Sequence, residues 1–164
     1  MAHDYSTQTK NQYSSILLRS VQRLQCRGNL KYYNKNCFTY VQIPDVFSTI
    51  PTEILKQIGY QEVPLMAKVD SPRTHISVMT TVEQRRTTRS RAKKVWKKWK
   101  DKKINFKIVD VQIWPHTTKE TEERKWICSF SVRSQQVEEI RADLGWQPMQ
   151  HFYNMHITLC EKPV

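Results

Sequence analysis

Hydrophobic positions recur along this chain in two periods, and the period changes mark the elements. In "SSILLRSVQRLQCRG", Leu17, Val21 and Leu24 stand at helical spacing. They predict a helix that closes on Gly28, behind a polar lead, "MAHDYSTQTKNQ", expected to be mobile. "CFTYVQI" (37–43) is rich in β-branched and aromatic residues and predicts a first strand ended by Pro44. "STIPTEILKQIG" predicts a second helix, with Pro51 near its start, Ile54, Leu55 and Ile58 on one side and Gly59 at its close. "EVPLMAKV" (62–69) reads as an edge strand, because Pro64 has no amide to give a ladder.

The second half repeats the pattern. "INFKIVDVQIW" (104–114) alternates but changes phase at Ile108 and Val109, which predicts a bulge. "KWICSFSVR" (125–133) puts Trp126, Cys128, Phe130 and Val132 on one face. Ser134 is placed to cap a helix carrying Val137, Ile140 and Leu144, and Gly145 stops it. No linker divides the chain. The reading is one α+β domain with a weak internal duplication.

Each half closes on a strand with a histidine in it: "THISVMT" (74–80) and "FYNMHITLCE" (152–161). Residues i and i+2 of a strand share a face, about 6.6 to 6.8 Å apart. His75 therefore points the same way as Ser77, and His156 the same way as Thr158. If the two strands lie side by side, two imidazoles and two hydroxyls converge. That set suits phosphodiester chemistry: a neutral imidazole takes a proton, a protonated one gives a proton, and hydroxyls hold non-bridging oxygens. Histidine serves both tasks because its ordinary pKa is about 6.5. The chemistry requires no metal and no cofactor.

Acid and base catalysis contribute about 10² to 10⁴-fold each, less than phosphodiester cleavage needs. A built-in nucleophile such as a ribose 2′-hydroxyl, or a strained cyclic phosphate, makes up the difference and favours RNA-like substrates. The spacing alone is weak evidence. His116 and Thr118 share it in "WPHTTKETEE", but that stretch reads as a polar turn without apolar flanks.

Composition narrows the partners. The 164 residues carry 27 Lys+Arg against 15 Asp+Glu, a formal net charge of +12 that attracts polyanions such as nucleic acid. Cys26, Cys37, Cys128 and Cys160 form no C-x-x-C pair, no apolar run approaches a membrane span, and the N-terminus has no signal-peptide core. The expectation is a reduced, intracellular protein of the cytoplasm, or of the nucleus in a eukaryote.

"HISV" (75–78) and "HITL" (156–159) resemble the paired H-x-S/T-x motifs of the 2H phosphoesterase superfamily. The resemblance covers roughly residues 37–162. It implies a bilobal α+β fold, with two pseudo-symmetric lobes and antiparallel sheets around a central cleft. It gives His75 and His156 the acid and base roles, and Ser77 and Thr158 the binding of phosphate. Residues 37–164 are then the 2H-like domain, and 1–36 an N-terminal lead and helix. The implied substrates are 2′,3′-cyclic phosphates, 2′-5′ oligonucleotides such as oligoadenylates, or cyclic oligonucleotide messengers of the kind used in antiviral defence.

Residues 82–103 stand outside that resemblance. They hold eleven Lys/Arg and two acids, nine of the twelve net positive charges. Ala92, Val95, Trp96 and Trp99 recur at helical spacing and predict an amphipathic helix with its tryptophans inward. "RRTTRSR", with Arg85, Arg86 and Arg89, is expected to form a mobile flap that holds successive phosphates. Arg73, sharing a face with His75, and Lys162, sharing one with His156 if the strand continues, are further phosphate-binding candidates. Tyr40, Trp114, Phe152 and Tyr153 are placed to flank a base. A competing reading is a non-catalytic RNA-binding protein that uses the basic insert, and a third is a membrane-surface protein led by its Trp/Lys helix.

Overall fold

The computed structural model describes residues 2–64, 72–118, 121–149 and 155–164, with side chains from Tyr5 onward. Phe152, Tyr153 and most of the expected edge strand at 62–69 lie outside the described residues. The described chain runs α1 (Ala2–Ser20), β1 (Arg27–Tyr32), β2 (Thr39–Gln42), α2 (Val46–Leu55), a 3₁₀ turn (Lys56–Ile58) and β3 (His75–Ser77). Then follow α3 (Thr81–Arg86), α4 (Arg89–Trp99), β4 (Ile104–Asn105), β5 (Lys107–Thr117), β6 (Arg124–Arg133), α5 (Gln135–Asp143) and β7 (His156–Pro163).

The seven strands form one antiparallel sheet in the order β4-β1-β2-β3-β7-β6-β5. The fold is α+β, and its halves β1–β2–β3 and β5–β6–β7 each end in a histidine strand. β3 and β7 meet at the centre. The sheet is curled into a half-barrel, and one residue shows why. β4 lies at one edge and β5 at the other, yet only Phe106 separates them in the chain. A single residue spans about 3.3 Å, so the two edges must converge there. The Phe106 amide donates to the Cys26 carbonyl at 3.0 Å, and its ring packs at 5.5 Å on Phe47 of α2.

Strand alternation sorts the sheet into two faces. Leu30, Val41, Ile76, Ile157, Phe130 and Val111 are successive cross-strand partners, and each is at most 1% exposed. They form an apolar row across six strands. Burying each such side chain contributes about 1.5–3 kcal/mol. α1 packs against β5 and α2 against β7, with Leu17, Val21, Phe47 and Leu55 joining this core. The residues between those core positions face the other way and are polar.

Several elements depart from the local pattern. The lead expected to be mobile is helical, because Tyr5 packs at 4.5 Å on Trp126 and Lys10 pairs with Asp110 at 2.8 Å. The helix stops at Ser20 instead of Gly28, and Gly28 belongs to β1. A Cβ there would sit 2.1 Å from the Gln42 carbonyl oxygen, so the close approach of β1 and β2 requires glycine. α2 begins at Val46 and contains Pro51, which is buried. The bulge expected near Ile108 and Val109 is present, as a register shift between Ile108 and Asp110. His116 lies on β5 opposite Lys125 and not in a turn, because β6 pairs β5 through Thr117. Among the described residues, no helix is long and apolar enough to cross a membrane.

The basic insert is folded throughout. The Thr80 hydroxyl accepts from the Glu83 amide while the Glu83 carboxylate accepts from the Thr80 amide, a capping box that starts α3. Thr88 caps α4 by accepting from the Arg91 amide. In place of the expected flap stand two capped helices, α3 and α4. α4 buries Ala92, Val95 and Trp99, and the Trp96 indole donates to the Leu30 carbonyl at 3.1 Å.

Candidate active site

β3 and β7 pair through Ile76 and Ile157. One step along each strand in opposite directions sets His75 across from Thr158 and Ser77 across from His156. Cross-strand partners share a face, so the four side chains form a square with the histidines on one diagonal. Adjacent strands lie about 4.8 Å apart and alternate residues about 6.7 Å, which makes that diagonal roughly 8 Å between Cα atoms. The imidazoles are close enough that the charge of His156 bears on His75.

The square is the centre of a wider polar face. One row runs Asn29, Gln42, His75, Thr158, Ser129 and Gln112 across six strands. The next runs Lys31, Tyr40, Ser77, His156, Ser131 and Asp110. Each position alternates with the apolar row, so the packing that builds the core also turns these groups to the opposite face of the sheet.

The His75 ring is half-buried, edge-on to Phe38 and Tyr40 at 5.7 Å each. Burial lowers its pKa from the ordinary value; the Arg73 carbonyl partly opposes this and His156 adds to it. Its Nδ1 lies 2.8 Å from the Arg73 carbonyl oxygen. A carbonyl only accepts, so Nδ1 carries the proton in the neutral ring and Nε2 holds the lone pair. His156 meets the Trp114 ring edge-on at 5.5 Å. Beside it, the Ser129 and Ser131 hydroxyls are buried with no hydrogen-bond partner among the described residues. Burial, and then the neighbouring Tyr33, push the Tyr40 phenol well above its ordinary range, so it stays protonated.

Tyr40 and Trp114 thus flank the two histidines, one on each side. The other candidates are placed differently. Arg73 holds His75 through its carbonyl, while its guanidinium pairs with Asp45 at 3.5 Å. Lys162 does not share the face of His156, because a register shift between Cys128 and Ser129 leaves Leu159 as an extra residue in β7. Beyond that bulge Lys162 lies opposite Trp126, with its ammonium 5.5 Å over the Tyr5 ring. The same shift turns Glu161 onto the histidine face opposite Ile127, 2% exposed and paired with Lys125 at 2.5 Å. Arg85 and Arg86 end α3, and Arg89 donates to the Lys35 carbonyl at 3.2 Å; none belongs to either polar row.

A clamp that local pattern does not reveal locks the end of β3. Arg141 of α5 is 3% exposed and uses all five of its N–H donors. Two go to the Glu83 carboxylate, one to the Val78 carbonyl and two to the Gln147 carbonyl, at 2.6 to 2.9 Å. It therefore ties α3 and α5 to the residue after Ser77. The T-x-x-E capping box was readable in the sequence, but its arginine lies 58 residues away.

The family model "2H-SAK: Swiss Army Knife, 2H phosphoesterase domain" matches residues 45–164, from the start of α2 through both histidine strands. The chain belongs to the 2H phosphoesterase superfamily. Comparison with curated proteins and with solved structures returned no match. In this 2H phosphoesterase the paired motifs fall on β3 and β7, side by side at the middle of the sheet. α1, β1 and β2 precede the matched segment. Among the described residues, no three His, Cys, Asp or Glu side chains are grouped so as to hold a metal ion.

Proposed function

We propose that this 2H phosphoesterase is a metal-independent phosphodiesterase of RNA-like or nucleotide-signal linkages, with His75 and His156 exchanging the two protons. The observation that carries the reading is the Ile76–Ile157 pairing, from which both imidazoles and both hydroxyls share one face of two adjacent strands. His75 takes the base's part: its lowered pKa keeps it neutral, and the Arg73 carbonyl fixes the lone pair on Nε2. Nε2 removes the proton of the attacking ribose hydroxyl, or of water when the substrate is a cyclic phosphate, as its oxygen bonds to phosphorus. His156, protonated, gives its Nε2 or Nδ1 proton to the departing oxygen as that bond breaks. Ser77 and Thr158 donate to the non-bridging oxygens, where charge grows in the transition state.

The substrate is a 2′,3′-cyclic phosphate, a 2′-5′ oligonucleotide or a cyclic oligonucleotide messenger. A panel of labelled 2′,3′-cyclic, 2′-5′, 3′-5′ and cyclic-dinucleotide substrates, assayed with EDTA, tests the reading. Cleavage of at least one, lost in His75→Ala and in His156→Ala, is the expected result. If the wild-type protein cleaves none of them, or both variants stay active, the protein is no such enzyme. The exposed Lys93, Lys94, Lys97 and Lys98 of α4 favour the competing reading, RNA binding without cleavage. That reading predicts RNA affinity in the absence of any turnover.

A further inference from the structure

The polar face continues past the histidines to β1, which lies between β2 and the two-residue edge strand β4. Arg27, Asn29 and Lys31 alternate there with the buried Gly28 and Leu30. Through Asn29–Gln42–His75 and Lys31–Tyr40–Ser77 they share the face of the first motif. β1 is two strands from β3, about 10 Å. Over it opens a groove of about 570 Å³ whose cations are Arg23, Arg27, Lys31 and Lys103 and whose lining, among the described residues, contains no carboxylate. The Lys103 ammonium reaches across to the Asn29 amide oxygen at 3.0 Å. Gln42 borders both the groove and His75, and Pro44 and Val46 supply an apolar wall.

Among the described residues, none of these four cations is ion-paired. Four like charges around one space repel one another until an anion enters. The amides of Asn29 and Gln42 and the apolar wall suit a sugar or base beside that anion. Arg23, Arg27 and Lys31 all precede residue 45, where the family match begins.

We infer that this groove is a second subsite, which binds the phosphate and sugar of the nucleotide flanking the scissile linkage on the His75 side. It makes the ligand an oligonucleotide, engaged at two or more phosphates, and not an isolated nucleotide. The inference rests on the nucleotide-cleaving function proposed above, and its test is independent of turnover.

The experiment uses the full chain and fluorescein-labelled 2′-O-methyl RNA, a dinucleotide and a hexanucleotide, titrated by anisotropy at several salt concentrations. The wild-type protein binds the hexanucleotide at least tenfold more tightly than the dinucleotide. Arg27→Glu/Lys31→Glu abolishes that advantage and flattens the salt dependence by about 0.7 for each phosphate the variant no longer holds. Arg27→Gln/Lys31→Gln, which removes charge without reversing it, gives an intermediate loss. Lys94→Glu/Lys97→Glu on the exposed side of α4 changes net charge equally and weakens binding less than threefold.

Equal losses in the β1 and α4 variants, or a wild-type protein indifferent to length, overturn the subsite. Because the 2′-O-methyl probe is not cleaved, failure here is distinct from failure of the cleavage assay with His75→Ala and His156→Ala.

Discussion

Arg141 and Glu83 form a bidentate ion pair, each guanidinium Nη 2.8 Å from a different carboxylate oxygen. The pair joins α5 to α3, and its remaining donors hold the Val78 and Gln147 carbonyls. Arg141→Met strands the Glu83 carboxylate in a largely buried setting. The expected cost is about 3–5 kcal/mol in urea unfolding, with phosphodiesterase activity falling as Val78 loses its anchor beside Ser77. The double variant Arg141→Met/Glu83→Leu is expected to recover part of that loss.

The same pair sets an acid limit on stability. Burial pushes the Glu83 carboxyl up, but hydrogen bonds from Arg141 and the Thr80 amide outweigh it and hold the group below its ordinary range. A lowered carboxylate stabilises the fold fully above the ordinary Glu value of about 4.3, and the contribution is lost as pH falls through its lower folded value. Thermal melts from pH 6 to pH 2 are expected to show a shallower acid decline in Glu83→Gln than in the wild-type protein.

His75 predicts the shape of the pH–rate profile. Its pKa lies below the ordinary histidine value of about 6.5, chiefly through burial. The acidic limb of kcat/KM is expected below that value, because the base role proposed for His75 requires the neutral ring. Phe38→Ala opens the ring to water and is expected to move the limb upward. The sign for stability is the same as for Glu83. Stability is full above the ordinary value and is lost as pH falls through the folded one, and His75→Asn flattens that part of the curve.

Trp114 of β5 meets His156 of β7 edge-on at 5.5 Å, within the same half of the sheet. Such an aromatic contact is worth about 0.5–1.5 kcal/mol. Trp114→Ala is expected to lower kcat/KM about threefold to tenfold on the best substrate of the panel. Trp114→Phe is expected to restore most of it. Steady-state kinetics at fixed pH read both.

Ser129 is fully buried beside Thr158, and among the described residues its hydroxyl has no hydrogen-bond partner. A buried polar group without a partner costs about 1–3 kcal/mol. Ser129→Ala is therefore expected to raise unfolding stability by about 1 kcal/mol. If the hydroxyl serves substrate, KM rises in the same variant, so calorimetry and kinetics move in opposite directions.

Period-2 alternation is written into each strand, because neighbouring side chains on a pleated backbone point to opposite faces. It was enough to place His75 with Ser77 and His156 with Thr158, and to predict the bulge beside Val109; helical spacing likewise marked Val137, Ile140 and Leu144 as one stripe. Alternation says nothing about which strand lies alongside which. The tertiary structure decided that Ile76 pairs with Ile157, so that two separate motifs became one square. It also decided that Leu159 is an extra residue, which turned Glu161 toward the histidines and Lys162 away. Charged and tyrosine side chains hid β1 from pattern reading, and its pairing with β2 exposed the face shared by Arg27 and Lys31. Partners such as Arg141 and Glu83 were invisible for the same reason. Periodicity is a property of short stretches, whereas register and burial arise from contacts between stretches far apart in the chain.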